Sequence, residues 1–117
     1  MFYTEKLGFD IRQDVKLGDF RWLTVGPKGQ PDLEIILMPI TPSAFMDAEA
    51  CAKLRELVAK SGVSSGVFET ADCRATVADL KAKGVEIVHE PTERPYGLEA
   101  LFKDDSGNWY SLVQRPQ

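Results

Sequence analysis

The chain has 117 residues, a hydrophobic content of 44%, a charged content of 27% and a formal net charge of −4, with a sequence pI near 5.0. This length predicts a single domain that can bury its own core. The acidic balance argues against a nucleic-acid partner, which requires a basic surface, and no apolar run approaches the roughly 18–20 residues that span a bilayer.

The cellular compartment of the protein is inferred from the first residues of the chain and from its two cysteines. Residues 1–9 have neither the basic nor the apolar region of a signal peptide. Cys51 and Cys73 lie far apart and outside any CxxC motif, so we expect reduced thiols and a cytoplasmic protein. Apart from Arg74, neither has basic neighbours that would make a nucleophilic thiol.

The first part of the chain predicts the end of a helix followed by three strands. Residues 2–7 place apolar side chains on one helix face, and Gly8 stands where a left-handed C-cap belongs. Strands are expected over residues 10–15, 20–25 and 33–38, with turns at 17–19 and 26–29. The third strand is more apolar than the first two, which predicts burial on both faces.

The second part predicts two helices separated by a strand, and then three more strands. One helix is expected from Asp47 to Lys60, ended by Gly62, and a second from Asp72 through Lys83, with Gly84 as its C-cap. The strands are expected over residues 63–70, 85–89, 98–103 and 109–114, with a polar loop over 90–95.

The last two strands form the clearest local pattern, a hairpin joined by Asp104-Asp105-Ser106-Gly107. We expect the Asp104 carboxylate to accept hydrogen bonds from the turn amides and Gly107 to take a positive φ.

The two halves of the chain are similar in layout, which predicts an internal repeat. Gly8 aligns with Gly84 at a helix end, and Glu34 aligns with Ser111 in a late strand. Each half is therefore predicted to be a βαβββ unit. In the first unit only residues 1–7 precede the helix-ending Gly8, whereas in the second unit residues 63–83 precede Gly84. The first unit thus lacks its opening strand, either because the recorded start is misplaced or trimmed or because the protein does without it. An unpaired strand edge favours pairing with another chain, so a homodimer is expected.

Three segments in this order, FYTEKLGFDI, FETADCRATVADLKAKGVEIVHEP and FKDDSGNWYSLVQ, resemble the vicinal oxygen chelate superfamily. This superfamily includes glyoxalase I, bleomycin-resistance proteins, fosfomycin-resistance thiol transferases and extradiol dioxygenases. The resemblance covers essentially the whole chain and implies an α+β fold of paired βαβββ modules with curled mixed sheets, usually dimeric, with a cup-shaped pocket in each sheet. It implies a truncated first module over 1–39, a linker and helix over 40–62, and a second module over 63–117.

The resemblance also implies where a divalent metal would bind in the enzymes of the superfamily. One ligand lies on the strand that is missing here, and the three visible positions carry Glu34, Ser65 and Ser111. A hydroxyl is a poor replacement for histidine or carboxylate, so we expect no metal and no other cofactor. The divalent-metal centre is kept as the minority alternative.

Strand alternation indicates which side chains could line a ligand pocket. Ser65 and Glu69 share one face of their strand, as do Trp109 and Ser111 of theirs. The other expected ligand-binding residues are Phe20, Trp22, Glu34 and Tyr96. Two of these residues have a plainer interpretation: core packing for Trp109, and an ion pair with Arg12 or Arg21 for Glu34.

Catalytic candidates are few. Glu34 and Glu99 are the weak candidates for an acid or a base, and a solvent-facing position is the alternative for Glu99. His89 is the only histidine and is interpreted as a surface residue.

Three functions therefore remain open at this point. The first is a metal-independent protein of the bleomycin-resistance type, which binds a small-molecule ligand in a cup lined by aromatic residues. The second is a metal-dependent lyase, isomerase or dioxygenase-like enzyme whose first ligand lies on the missing strand. The third is a non-catalytic interaction module.

Overall fold

A computed structural model describes residues 1–60 and 63–116, which belong to two compact units, Met1–Ala52 and Lys53–Gln117. Within these described ranges the chain forms three helices and seven strands. No helix in the described ranges is long and apolar enough to cross a membrane.

The first unit begins with a short helix and continues as an antiparallel sheet. Helix α1 (Phe2–Glu5) leads through Gly8, whose φ of 70° is left-handed as expected, into β1 (Asp10–Leu17). Strands β2 (Phe20–Gly26) and β3 (Ile35–Ile36) follow, and the sheet order is β1-β2-β3.

Helix α2 (Ala48–Ala59) begins in the first unit and ends in the second. Its start is capped as the sequence predicts, because the Asp47 carboxylate accepts a hydrogen bond from the Ala50 amide at 2.8 Å. The expected helix end at Gly62 lies outside the described residues.

The second unit is a β-α-β-β-β arrangement around one mixed sheet. It contains β4 (Ser64–Glu69), α3 (Cys73–Ala82), β5 (Ile87–Arg94), β6 (Gly97–Lys103) and β7 (Trp109–Gln114). The sheet order is β4-β7-β6-β5, with β4 parallel to β7 and the other neighbours antiparallel. This order brings the first and last strands of the unit together.

One face of this sheet carries the core of the second unit. The Phe68 ring stacks on Tyr110 with centroids 4.7 Å apart, and Phe102 stacks on Tyr110 at 5.6 Å. The Asp72 carboxylate caps α3 by accepting from the Ala75 amide at 3.0 Å, as predicted. The opposite face is therefore the one on which a ligand site could be built.

The closing turn forms as the sequence predicts. The Asp104 carboxylate accepts from the amides of Ser106 and Asn108, each at 2.9 Å, and Gly107 has a φ of 95°. This local network holds β6 and β7 in antiparallel register.

The third strand was predicted over residues 33–38, and this is wrong in length and in burial. Strand β3 covers only Ile35–Ile36, because the Leu33 amide bonds to the Gln30 carbonyl and keeps the preceding residues in a turn. Ile36 is 46% exposed, as expected of an edge strand rather than of one buried on both faces.

The fifth strand was also predicted with the wrong limits. The Val85 amide still bonds to the Leu80 carbonyl at the end of α3, so β5 begins only at Ile87. It continues to Arg94 because Thr92, Glu93 and Arg94 pair with β6. The polar residues of β5 led to the prediction of a loop. They are compatible with a strand because β5 lies at the sheet edge, where polar side chains and a proline such as Pro91 are tolerated.

The aligned repeat differs in register between the two units. Leu101 pairs with Ser111 across β6 and β7. Thr24 precedes Glu34 by the same number of residues as Leu101 precedes Ser111, so the repeat predicts that Thr24 pairs with Glu34. Thr24 instead pairs with Ile36 across β2 and β3. Glu34 and Ser111 are thus equivalent by sequence count and not by strand pairing.

Candidate functional site

An aromatic surface covers part of one sheet face in the first unit. Phe20 and Trp22 alternate along β2 and lie 6.3 Å apart between ring centroids, and Phe45 lies 6.2 Å from Phe20. Phe20 and Trp22 are half-buried, whereas Phe45 is 71% exposed. We call Phe20, Trp22 and Phe45 the aromatic surface.

Register extends this surface onto the neighbouring strand. Leu17 of β1 pairs with Phe20 and Val15 pairs with Trp22, and paired residues project from the same face. Leu17 is 62% exposed and Val15 is 44% exposed. The face as a whole therefore offers apolar area to a ligand or to another chain.

Glu34 joins this face next to Trp22. Its Oε1 accepts one hydrogen bond from the Thr24 hydroxyl and one from the Gln13 amide nitrogen, each at 2.6 Å. Gln13 and Thr24 pair with each other across β1 and β2. They are the next pair on the same sheet face after Val15 and Trp22, so the carboxylate that they bind lies beside the aromatic surface. The Thr24 hydrogen bond, followed by that of Gln13, lowers the pKa of Glu34 below its ordinary value.

The alternative expectation, an ion pair of Glu34 with Arg12 or Arg21, is wrong. Arg12 donates to the backbone carbonyls of Pro27 and Gln30, and Arg21 makes two 2.7 Å bonds to the Asp14 carboxylate. Arg12 contributes only a minor attraction to the lowered pKa of Glu34. The carboxylate is thus held by neutral donors.

A second carboxylate, Glu99, is the centre of a polar cluster in the second unit. Its Oε2 accepts from the Ser111 hydroxyl at 2.9 Å, and its Oε1 accepts from the Tyr96 phenol at 2.7 Å. The Arg94 guanidinium lies 3.7 Å from the same Oε1. With a side chain only 16% exposed, Glu99 does not have the solvent-facing position that was the alternative for it. The hydrogen bond to Glu99 raises the pKa of Tyr96.

Ser65 does not join Ser111 through the strand register. An irregularity between Ser64 and Gly66 leaves Ser65 as the extra residue, and Val67 is the partner of Ser111. Trp109 is half-buried and pairs with Ser64 and Lys103. The strand irregularity could not be anticipated from alternation alone.

Glu69 lies at the other end of β4, where it forms an ion pair with Arg115. Both residues border an open cleft of about 320 Å³, which Thr70, Ala71 and Gln114 complete. Their side chains are 63% and 55% exposed, so this pair contributes little to stability. Glu69 and Glu99 both pair with Val113, so they lie on the same face of the sheet with β7 between them, and Glu69 bonds to Arg115 rather than to a residue of the Glu99 cluster.

His89 and the cysteines are not arranged for catalysis. His89 is exposed, and its Nδ1 lies 3.2 Å from the Glu90 carbonyl oxygen. Cys51 and Cys73 are both buried free thiols. Burial raises the pKa of the Cys73 thiol, and nearby Arg74 offsets part of that shift, so the reactive thiolate is disfavoured.

The residues at the family's metal positions do not fit a divalent ion. Ser111 donates its hydroxyl to Glu99, and Glu34 is the sole carboxylate among the three visible positions. Catalytic metal sites generally use three histidine or carboxylate ligands. In residues 1–60 and 63–116 no three His, Cys, Asp or Glu side chains come together to form such a group.

Comparison with known proteins identifies the family. The model of the Glyoxalase/Bleomycin resistance protein/Dioxygenase superfamily matches residues 1–112. The chain belongs to this superfamily. Its α+β fold, expected from the three sequence segments, is confirmed by structural neighbours that include a glyoxalase/bleomycin resistance protein from Streptomyces sp. CB03234 at 31% identity and a TM-score of 0.67.

Proteins similar to this superfamily member include one that is described as an antibiotic binding protein. It is 36% identical over 115 residues to the uncharacterized protein YurT of Bacillus subtilis, covering 97% of the chain and 86% of YurT. The crystal structure of UcmS2 matches at 49% identity with a TM-score of 0.89, covering 97% of this chain and 84% of that one. TnmS3, an antibiotic binding protein from Streptomyces sp. CB03234, matches at 30% identity with a TM-score of 0.74, covering 98% and 82%.

Sequence reasoning missed several residues that hold the two carboxylates. Gln13 and Thr24 hold Glu34, Arg94 lies beside Glu99, and Phe45 extends the aromatic surface from the predicted linker. Gln13 could have been suspected, because it is a polar residue that alternates with the apolar residues Ile11 and Val15 along the predicted strand. Arg94 was hidden by the wrong assignment of residues 90–95 to a loop.

Proposed function

We propose that this superfamily member binds a planar, largely apolar small molecule of the antibiotic type, without a metal and without changing it chemically. The observation that carries the proposal is the aromatic surface of Phe20, Trp22 and Phe45, whose rings lie 6.2–6.3 Å apart and remain accessible. Aromatic side chains of this kind bury large areas against flat ligands and add favourable ring contacts.

Two further observations support a binding protein over an enzyme. Ser65 and Ser111 offer hydroxyls where the enzymes have metal ligands, and the Ser111 hydroxyl is already bonded to Glu99. TnmS3, which is 30% identical to this chain, is an antibiotic binding protein. Tyr96, Glu69 and Trp109 remain candidate ligand contacts.

The proposed working form is a homodimer. The sheet of the first unit ends at β3, which among the described residues has β2 as its single neighbour. An open strand edge that carries an exposed apolar side chain, Ile36, favours pairing with a second copy. Light scattering of the purified protein should give a dimeric mass, and a monomeric mass would contradict the dimer.

Ligand binding can be tested with acridine, a neutral planar tricyclic probe, followed by tryptophan fluorescence. The Trp109→Phe variant makes Trp22 the single tryptophan, so quenching of its emission reports on the aromatic surface. Trp22→Leu should weaken acridine binding about tenfold when measured by calorimetry, because a stacking surface is lost. Unquenched emission in Trp109→Phe together with no calorimetric binding would refute the proposal and favour a non-catalytic interaction module.

A divalent-metal-dependent lyase or isomerase remains the second candidate, and one observation favours it. Glu34 is a carboxylate with a lowered pKa at a position where glyoxalase-like members supply a ligand. Elemental analysis of the purified protein decides between the two. Stoichiometric zinc, nickel, manganese or iron would overturn the metal-independent function.

A further inference from the structure

The Glu34 carboxylate has one oxygen that the protein does not use. Both hydrogen bonds, from Thr24 and from Gln13, arrive at Oε1. No donor from residues 1–60 or 63–116 is placed at Oε2. A carboxylate oxygen can accept two hydrogen bonds, so the side chain is oriented by one oxygen and offers the other.

Within residues 1–60 and 63–116 no basic side chain forms an ion pair with Glu34, and Arg12 adds only a minor attraction to its charge. The two arginines on the neighbouring strands bind other groups. Arg12 of β1 donates to loop carbonyls, and Arg21 of β2 forms an ion pair with Asp14. The neutral donors Thr24 and Gln13 favour the ionised carboxylate without cancelling its charge. A ligand that brings a positive charge would therefore find a fixed partner of opposite sign.

The position of this carboxylate relative to the aromatic surface defines the shape of such a ligand. Thr24, which holds Glu34, lies two residues along β2 from Trp22 and on the same face. Two residues of strand span about 7 Å. A tricyclic ring lying over Trp22 would thus place an amino substituent near Glu34, while the indole face itself attracts cations.

We infer that the ligand is a planar aromatic cation that carries an amino group, and that Glu34 Oε2 receives a hydrogen bond from that amino group. The inference rests on the proposed function, since it assigns the ligand class for the same aromatic surface. Glu34 is then the residue that distinguishes cationic from neutral and anionic planar ligands, because only the cation compensates the carboxylate.

Three acridines of equal ring size test the inference by calorimetry at neutral pH. They are 9-aminoacridine, which is a cation, acridine, which is neutral, and acridine-9-carboxylate, which is an anion. The wild-type protein should bind 9-aminoacridine about tenfold more tightly than acridine, as one charge-assisted hydrogen bond predicts, and should bind the anion most weakly. This order of affinities is measured on the wild-type protein alone.

Glu34→Gln should abolish the preference for the cation over acridine, because the amide keeps the shape and the Oε1 acceptor but not the negative charge. The matched control is Glu93→Gln, which removes the same charge from an exposed residue of β5 and should keep the preference. Equal affinity of wild type for the cation and for acridine, or a preference that survives Glu34→Gln, would overturn the amine assignment but not planar binding. Failure of all three acridines to bind would overturn the proposed function itself.

Discussion

Glu34 in the first unit and Glu99 in the second are both carboxylates on sheet faces, and they differ in how their oxygens are used. Glu34 accepts both of its bonds at Oε1 and is exposed. Glu99 accepts from Ser111 at one oxygen and from Tyr96 at the other, and its side chain is 16% exposed. The same functional group is therefore free to meet a ligand in one unit and is used by the protein in the other.

This difference also explains what Ser111 contributes. Where the family's enzymes carry a metal ligand, this chain has a buried serine that donates to Glu99 at 2.9 Å. The hydrogen bond gives the buried Ser111 hydroxyl an acceptor, and gives Glu99 a donor at the oxygen that Tyr96 does not use. The Ser111 hydroxyl is thus part of the internal hydrogen bonding of the sheet.

The largest expected effect comes from disturbing the strand that carries Glu99. Gly97 begins β6 with a φ of 139°, and a Cβ there would overlap the Gln114 carbonyl oxygen. Gly97→Ala should therefore lower the free energy of unfolding by about 2–4 kcal/mol, measured by urea denaturation. Gly29→Ala is the matched control, because nothing lies within 4 Å of a Cβ at that position, and it should change stability by less than about 0.5 kcal/mol. A Gly97→Ala protein as stable as wild type would show that β6 and β7 can separate.

A direct test of the comparison replaces each carboxylate with alanine. Glu99→Ala leaves Ser111, Tyr96 and Arg94 without their acceptor and should lower the free energy of unfolding by about 1–3 kcal/mol. Glu34→Ala should shift the urea midpoint by less, because only the buried Thr24 hydroxyl loses its acceptor, whereas the exposed Gln13 amide can bond to water. The reverse order would mean that Glu34 is the structural carboxylate, which contradicts its role as a ligand residue.

The smallest expected effect concerns the ionisation of Tyr96. Its phenol donates to Glu99, and losing the proton would break this bond and place two negative charges together, so the pKa is raised. The bond thus stabilises the fold fully below the pKa of an unfolded tyrosine, and this contribution is lost as pH rises through the higher folded pKa. The difference in tyrosinate absorbance between wild type and Tyr96→Phe should appear at a higher pH than for a free tyrosine. Glu99→Gln should move that step towards lower pH, and an unmoved step would contradict the assigned cause.

The roles of residues that contact only near neighbours in the chain could be predicted from the sequence. Asp72 caps the helix that starts beside it, Asp104 closes its own turn, and Gly8 takes the left-handed conformation at a helix end. Each depends on contacts between residues at most four positions apart, or on the freedom of one glycine. The family also followed from such segments, because they keep their residues in a recognisable order.

Contacts between strands could not be predicted in the same way. The partners of Glu34 are Thr24 on β2 and Gln13 on β1, and they depend on a register that contains an irregularity between Ile11 and Gln13. Likewise β5 reaches Arg94 only because β6 pairs with it. A single-residue shift in a strand changes which face a side chain occupies, so alternation by itself leaves such partners open.

The sequence by itself therefore determined the superfamily, the order of helices and strands, the caps and turns, and the identity of both carboxylates. The tertiary structure alone decided which carboxylate the protein uses internally and which it leaves available. The reason is physical: caps and turns form between neighbours in the chain, whereas the hydrogen bonds of Glu34 and Glu99 join strands whose pairing is settled only when the sheets assemble.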